Sequence, residues 1–210
     1  GYKQFKRWQY SREGMCGPDG KLLPASYFAN EVKNFMQSYG DKGIVGNWEF
    51  IGPEIVPIHP TSQKKTGIGR LTTVCFHPTD PNILYVGSHT GGIWKTTTGG
   101  NNWENLNTDN IPGIGVSAIL VHPDNPNIIF IGTGDRDNSI VPGQGIWKTT
   151  DGGNTWNQVA SDMDDILVSE IFIQPDNHNI FLAAASDGIY ISIDGGSTWN
   201  KTTGIDVNVK

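Results

Sequence analysis

The chain reads TTDGGNTW at residues 149–156. The same pattern returns as SIDGGSTW at residues 192–199 and, more loosely, as TTTGGNNW at residues 96–103. The copies recur at intervals of about 45 residues, a period typical of repeats that each form one supersecondary unit. This repeat decides the fold, and every other element has to be placed in its phase.

Other features recur in the same phase as this box. An apolar strand ending in proline lies ahead of each copy, and a turn rich in Asn and Asp follows that strand. A second and a third apolar strand lead into the box, whose tryptophan opens a fourth. Four short antiparallel strands in each unit are typical of a β-propeller blade, so the sequence predicts an all-β fold of such blades. The proline-ended strands lie at 74–78, 119–123 and 171–175.

The box consensus, S/T-x-D-x-G-x-T/S-W, resembles the Asp-box, which is the bacterial neuraminidase repeat of sialidase-like and sortilin-like propellers. A short Asp side chain accepts hydrogen bonds from nearby amides, and glycine supplies positive φ without steric cost. The resemblance implies a structural hairpin on the outer rim. Thr98 stands where the family has Asp, so we expect the first hairpin to lack one stabilising carboxylate. The structural box residues are Thr98, Trp103, Asp151, Gly153, Trp156, Asp194, Gly196 and Trp199.

The repeat divides the chain into an N-terminal extension, residues 1–46, and a partial propeller, residues 47–210. Trp48 and its neighbours match Trp103, which predicts an outermost strand at 47–52 that closes a last blade. Known propellers have about four to eight blades, so three cannot close a ring. We expect the remaining blades to come from the same, longer polypeptide, with this chain as its N-terminal part, or from a second chain that completes a six-bladed ring. The blades lie at about 68–107, 114–160 and 166–203.

The extension carries a helical pattern. Between Pro24 and Gly40, apolar residues recur at steps of three and four, which is the spacing of one helix face. We expect this helix to cap the propeller, with binding to a partner or a membrane surface as the alternative. The apolar positions are Phe28, Val32, Phe35, Met36 and Tyr39.

The segment WEFIGP at residues 48–53, preceded by such an extension, resembles secreted Asp-box proteins of the Bacteroidetes type. In those proteins a long propeller is followed by adhesive modules and a sorting domain for type IX secretion. The resemblance implies an extracellular or cell-surface location and a signal peptide that has been removed.

The composition excludes several classes of function. The 210 residues carry a formal charge of −6, and an acidic chain is a poor partner for phosphate backbones, so we expect no nucleic acid. No run approaches about 18 apolar residues, so we expect no membrane span. Cys16 and Cys75 lack the spacing of a zinc or redox motif, and the sequence leaves a bridge and two free thiols equally open.

Ligands of propellers bind where loops converge on the axis, and polar loop residues there are candidate contacts. A segment GTGDRDNS at residues 132–139 lengthens the second repeat and offers oxygen ligands at calcium-like spacing, although no EF-hand glycine and glutamate follow. Calcium is the one cofactor that the sequence suggests. The ligand-binding candidates are Arg70, His89, Asp135, Arg136 and Asp187, and the metal candidates are Asp135, Asp137 and Asn138.

Two classes of glycosidase were compared with these loops. Sialidases carry an Arg-Ile-Pro segment, an arginine triad and a Tyr/Glu pair, whereas Leu71 follows Arg70 here. The segment FHPTDPNILYV at residues 76–86 looks like the first blade of two-propeller xyloglucan-cleaving glycosidases, in which an Asp of a T-D-x-G-G loop is catalytic. The loop here is SHTGG at residues 88–92, so His89 replaces that Asp.

We therefore interpret the chain as a recognition propeller that presents loops to a protein, a peptide or a glycan, with no catalytic residue of its own. The alternative is a glycan hydrolase, xyloglucanase-like or sialidase-like, whose catalytic carboxylates lie outside this chain. Paired acids on the inner strands of further blades would favour hydrolysis.

Overall fold

The structure is a computed structural model, and it describes most of the repeat region together with the start of the extension. A helix, α1 (Tyr2–Glu13), opens the chain, and the described positions between 27 and 38 are helical too. Within the described residues no helix is long and apolar enough to cross a membrane. The described residues are 2–24, scattered positions between 27 and 38, 69–111, 115–136 and 143–203.

Several sequence predictions fall outside this range. They include the strand at 47–52 with Trp48, and the metal candidates Asp137 and Asn138. Of the apolar positions predicted for the second helix, Phe35 is described, and its side chain is exposed. Both cysteines, Cys16 and Cys75, are free thiols.

Among the described residues twelve strands follow the extension, and they form three four-stranded antiparallel sheets, each with its strands in sequence order. Together with the short N-terminal helix, this confirms the predicted all-β fold of four-stranded blades, and the described part of the chain is a partial β-propeller. In chain order the strands are β1 (Leu71–Phe76), β2 (Leu84–Ser88), β3 (Gly92–Thr96), β4 (Glu104–Asn105), β5 (Val116–Val121), β6 (Ile129–Thr133), β7 (Ile146–Thr149), β8 (Asn157–Gln158), β9 (Val168–Gln174), β10 (Asn177–Ala185), β11 (Gly188–Ser192) and β12 (Asn200–Lys201).

The turn between the first and second strands of each blade is held by an Asx hydrogen bond, in which a side chain two residues back mimics a backbone turn. The Asn82 N–H donates to Asp80 Oδ1 at 2.9 Å, and the Asn127 N–H donates to Asn125 Oδ1 at 3.2 Å. The hairpin between the third and fourth strands docks on this turn, since the Gly152 N–H donates to the Asn127 carbonyl at 3.0 Å. These turns and hairpins therefore share one edge of every sheet, which we call the box edge.

The opposite edge carries the turns between the second and third strands and the entry of the chain into each first strand. We call it the entry edge. Since successive antiparallel strands reverse direction, the start of β1, the end of β2 and the start of β3 all lie there, and the same holds for the other two blades.

The hydrophobic core lies between the blades. Tyr85, Val116 and Ile129 are buried between the first and second blades. Phe130 and Phe181 are fully buried between the second and third, with ring centroids 4.9 Å apart. Burying one such side chain contributes about 1.5–3 kcal/mol, so each blade is stabilised mainly by its neighbours.

Candidate functional site

The topology places the predicted ligand contacts on the entry edge. Arg70 directly precedes β1, and His89 directly follows β2. Asp135 and Arg136 follow β6 after one glycine, and Asp187 lies in the turn between β10 and β11. All five predicted contacts therefore lie on one edge, but their hydrogen bonds divide them into groups.

One group joins the first two blades. The Arg70 guanidinium donates to Asp135 Oδ1 at 2.6 Å, and the Asp135 side chain is only 2% exposed, whereas that of Arg70 is 39% exposed. Arg136 reaches back in the other direction, with Nη2 donating to the Thr72 carbonyl at 3.2 Å. A buried carboxylate needs a partner, so the contact with Arg70 fixes the Asp135 side chain between the first two blades. The exposed Arg136 is the cation that this group presents to solvent.

His89 lies beside a close approach of three backbones. A Cβ added to Gly115 would lie 2.8 Å from the His89 carbonyl oxygen and 2.9 Å from the Gly134 carbonyl oxygen, so only glycine fits there. His89 Nδ1 is buried and has no hydrogen-bond partner among the described residues. Buried polar atoms are almost always paired, so this nitrogen is an exception among the polar groups of the entry edge.

Asp187 is not joined to the Arg70 group. Its Oδ2 accepts hydrogen bonds from the Tyr190 hydroxyl at 3.0 Å and from Lys201 Nζ at 2.6 Å, both within the third blade. Burial, followed by the bond to Asp187, raises the pKa of Tyr190 to about 12. The phenol therefore stays protonated and donates to the carboxylate. The structure thus brings Arg70, Asp135 and Arg136 together and leaves Asp187 in a separate cluster.

The sequence analysis did not predict that an aromatic side chain of each third strand donates a hydrogen bond to the turn that precedes it on the entry edge. Trp94 Nε1 donates to the Gly91 carbonyl at 2.7 Å, and Trp147 Nε1 donates to the Gln144 carbonyl at 3.1 Å. Tyr190 makes the matching bond to Asp187 in the third blade. The aromatic residue at the same position of each third strand was the signal in the sequence. These hydrogen bonds stabilise the turns that contain His89 and Asp187.

The calcium hypothesis stays a prediction. Asp135 is paired with Arg70, and Asp137 and Asn138 lie outside the described residues. Within the part of the chain that the structure describes, no three His, Cys, Asp or Glu side chains gather in a way that could hold a metal ion.

The box hairpins lie on the other edge. Asp151 accepts hydrogen bonds from the hydroxyl groups of Thr149 and Thr155, at 2.7 and 2.6 Å, and from the Thr155 N–H at 2.9 Å. These bonds, that of Thr149 first, hold the pKa of the Asp151 carboxyl well below its ordinary value. Asp194 is bonded in the same way by Thr198 and Ser192, and its pKa is lowered too.

In the first box hairpin, the Thr98 hydroxyl takes the place of the carboxylate. It accepts the Asn102 N–H at 3.0 Å, and the Thr96 hydroxyl accepts the Gly100 N–H at 3.0 Å. Gly99 and Gly100 keep the positive φ values, 64° and 95°, that the other two hairpins also use. The hairpin therefore keeps its backbone shape with a neutral side chain at its centre.

A further cluster lies on the box edge. His178 Nδ1 is 2.5 Å from Asp124 Oδ2, and this contact joins the second and third blades. The His122 ring meets the His178 ring edge to face, with centroids 5.7 Å apart. The hydrogen bond raises the pKa of His178 and lowers that of Asp124. A cleft of about 350 Å3 lies beside these side chains, and Asp176 also lines it.

Comparison with known proteins supports the propeller class. No protein-family model matches the chain. A xyloglucanase from Paenibacillus sp is 25% identical over 170 residues, a match that covers 70% of this chain and 15% of that protein. The chain therefore spans less than a fifth of the length of this curated relative.

A solved structure supports the same fold. The crystal structure of an ancestral GH74 enzyme matches with a TM-score of 0.56 and 26% identity, over 65% of this chain and 19% of that one. A GH74 enzyme from Niastella koreensis matches with a TM-score of 0.49 and 22% identity, over 61% of this chain and 20% of that one. The described part of the chain is thus a partial β-propeller of three blades.

Proposed function

We propose that this chain is a recognition propeller that binds a β-glucan of the xyloglucan type on its entry edge without hydrolysing it. The observation that carries the proposal is the match to a xyloglucanase over 70% of the chain, combined with His89 at the position of that family's loop Asp. The similarity favours a glycan over the protein and peptide ligands that the sequence left open.

The chemistry of the entry edge supports binding over hydrolysis. An inverting glycosidase needs two carboxyl groups about 6.5–9.5 Å apart, one to donate a proton and one to activate water. In the first blade the turn holds an imidazole instead, and Asp135, an acid of the same edge, is buried in an ion pair with Arg70. Asp187 is also bonded to a cation, Lys201. Each of these carboxylates is held by a cation, which favours a role in stabilising the loops.

The same groups suit a neutral polysaccharide. Sugar hydroxyl groups both donate and accept, so they suit the Arg136 guanidinium and the Nδ1 of His89, which has no hydrogen-bond partner in the described part of the chain. Displacing ordered water with such hydroxyl groups retains the hydrogen bonds of the site. As part of this proposal we place the protein outside the cell or on its surface, where such glycans occur, and we assign its three box hairpins to the Asp-box type.

A second candidate function is hydrolysis of the same glycan by carboxylates that are not in these three blades. The similarity to a xyloglucanase favours it. The two functions share a ligand and differ in turnover, so one experiment separates them.

Calorimetric titration of the chain with xyloglucan oligosaccharides tests the proposal, beside an assay for new reducing ends. We expect saturable heat, no new reducing ends, and a loss of affinity of about tenfold, equal to ~1.4 kcal/mol, in each of the variants Arg136→Ala and His89→Ala. Lys21→Ala, which removes an 85% exposed cation of the N-terminal segment, is the control and keeps full affinity. Absence of heat with xyloglucan and with other β-glucans would contradict the proposal, and turnover would favour the hydrolase.

A further inference from the structure

The two outermost sheet faces of the partial propeller are apolar and bare. We call the face of a blade that packs on the preceding blade its front, and the opposite one its back. Val74 lies on the front of the first blade and is 58% exposed, whereas the matching Ile119 and Ile171 of the second and third blades are 6% and 3% exposed. Leu71 and Phe76 on the same bare front are also exposed. The front of the first blade therefore has the same composition as two fronts that are covered.

The back of the third blade shows the complementary pattern. Leu182 of β10 pairs with Phe172 as Phe130 pairs with Leu120 in the second blade. Phe130 is fully buried against the third blade, whereas Leu182 is 42% exposed and Phe172 is exposed as well. A face that buries a phenylalanine at one boundary is thus left open at the end of the array.

Each covered boundary also uses one hydroxyl bond between innermost strands. Ser117 Oγ donates to the Val168 carbonyl of the next blade at 2.6 Å, and Thr72 Oγ1 donates to the Val116 carbonyl. Ser169 holds the same position in the third blade, and its hydroxyl makes no hydrogen bond to any described residue. The acceptor that matches Val116 and Val168 at the other end of the array is the carbonyl of Leu71.

The charges at the box hairpins distinguish this pair of ends from any covered boundary. Lys148 Nζ donates to the Gly195 carbonyl of the next box at 2.9 Å, close to the charge of Asp194. Lys95 lines the cleft of the second box, which contains Asp151. In each case the lysine of one blade faces the Asp-bearing hairpin of the next.

The ends of the array lack both charges. Ile191 stands in the third blade where Lys95 and Lys148 stand in the others, and Thr98 stands in the first box where Asp151 and Asp194 stand. A lysine buried against a neutral hairpin would lose hydration without gaining an opposite charge. Conversely, an isoleucine suits a hairpin whose centre is a threonine. The back of the third blade therefore matches the front of the first in apolar character, hydrogen-bonding groups and charge.

We propose that a second copy of this chain covers these faces, head to tail, so that the third blade of each copy packs on the first blade of the other. Each contact continues the established blade boundaries: Phe172 and Leu182 cover Leu71 and Val74, and Ser169 donates to the Leu71 carbonyl. Two identical contacts of this heterologous kind close a ring of six blades, within the range of about four to eight that propellers adopt. The occupant is thus a second copy of the chain, recognised by its neutral box.

Sedimentation analysis of the full chain tests this proposal. We expect a species of twice the chain mass of 22.9 kDa at micromolar concentration. Val74→Asp places a charge on the apolar front of the first blade, and Leu182→Asp places one on the apolar back of the third. Each variant alone is expected to be monomeric. Both positions are exposed in the single chain, so the monomers keep their circular dichroism spectra. Thr150→Asp is the control, since Thr150 is exposed in the hairpin of the second blade, whose two faces are both covered by neighbouring blades, and it leaves the dimer intact.

A mixture of the two variants tests the proposed contact more specifically than either variant alone. Val74→Asp keeps a working back and Leu182→Asp keeps a working front, so an equimolar mixture of the two monomers is expected to form a heterodimer through one contact. A wild-type chain that is monomeric throughout this range would overturn the proposal, and so would variants that remain dimeric alone. A mixture that stays monomeric would show that the two faces do not bind each other and would overturn it as well.

Discussion

The two edges of the sheets differ in how far they repeat. On the box edge, every blade uses the same Asx turn and the same glycine pair, and the hydrogen bonds that form the Asx turn lie within each repeat. On the entry edge, the three blades carry different residues, with His89, Asp135 and Asp187 in three different settings. Repetition marks what every blade needs to fold. Variation marks the surface on which we propose that a ligand binds.

The largest effect on the free energy of unfolding is expected at Gly115, on the entry edge. A methyl group there would press on the carbonyl oxygens of His89 and Gly134, so Gly115→Ala is expected to lower the free energy of unfolding by about 3 kcal/mol and to disturb the site. Gly69→Ala is the matched control, because an added Cβ at Gly69 meets nothing within 4 Å among the described residues. Denaturant titration measures both, and equal stability of the two variants would contradict the tight packing of this edge.

Arg70 comes next. Arg70→Ala leaves the buried Asp135 carboxylate without its guanidinium partner, which is expected to cost about 2 kcal/mol, less than a fully buried pair because Arg70 is partly exposed. Arg136→Ala removes an exposed arginine of the same edge and is expected to change the free energy of unfolding by under about 0.5 kcal/mol. A similar loss in both variants would show that Asp135 does not depend on Arg70.

The box edge is expected to respond to acid. The folded-state pKa values of Asp151 and Asp194 lie below their ordinary values, so the stabilisation is present above about pH 4 and is lost as the pH falls further. The double variant Asp151→Asn, Asp194→Asn should lose less of its melting temperature between pH 5 and about pH 3 than the wild type. Identical acid slopes would mean that the carboxylates do not stabilise the hairpins.

The smallest effect is expected at His178 and Asp124. The pKa of His178 is raised, so its contribution is complete below about pH 6.5 and is lost as the pH rises through the folded-state value. The lowered pKa of Asp124 sets the acid limit, below about pH 4. His122 and Asp176 also face this pair and are left in place. His178→Gln and Asp124→Asn should each weaken the dependence of the melting temperature on pH between pH 6 and about pH 8. An unchanged dependence would show that the His178–Asp124 pair does not stabilise the fold.

The repeat allowed the strands and both edges to be predicted from the sequence. One period fixes the strand order, and strand order fixes the edge on which Arg70, His89 and Asp187 lie. It could not predict their partners, because Arg70 and Asp135 are 65 residues apart and meet across a blade boundary, where side-chain packing decides the contact. The sequence also did not show that Asp187, a ligand-binding candidate, is bonded to Lys201 of the outermost strand, which lies 14 residues further along the chain.

Hydrogen–deuterium exchange with and without xyloglucan oligosaccharides tests the central claim most directly. Bound glycan is expected to slow exchange in the entry-edge peptides that contain residues 88–92 and 133–136, and to leave the box hairpin at residues 149–156 unchanged. Protection confined to the box hairpins, or no protection at saturating glycan, would contradict a glycan site on the entry edge.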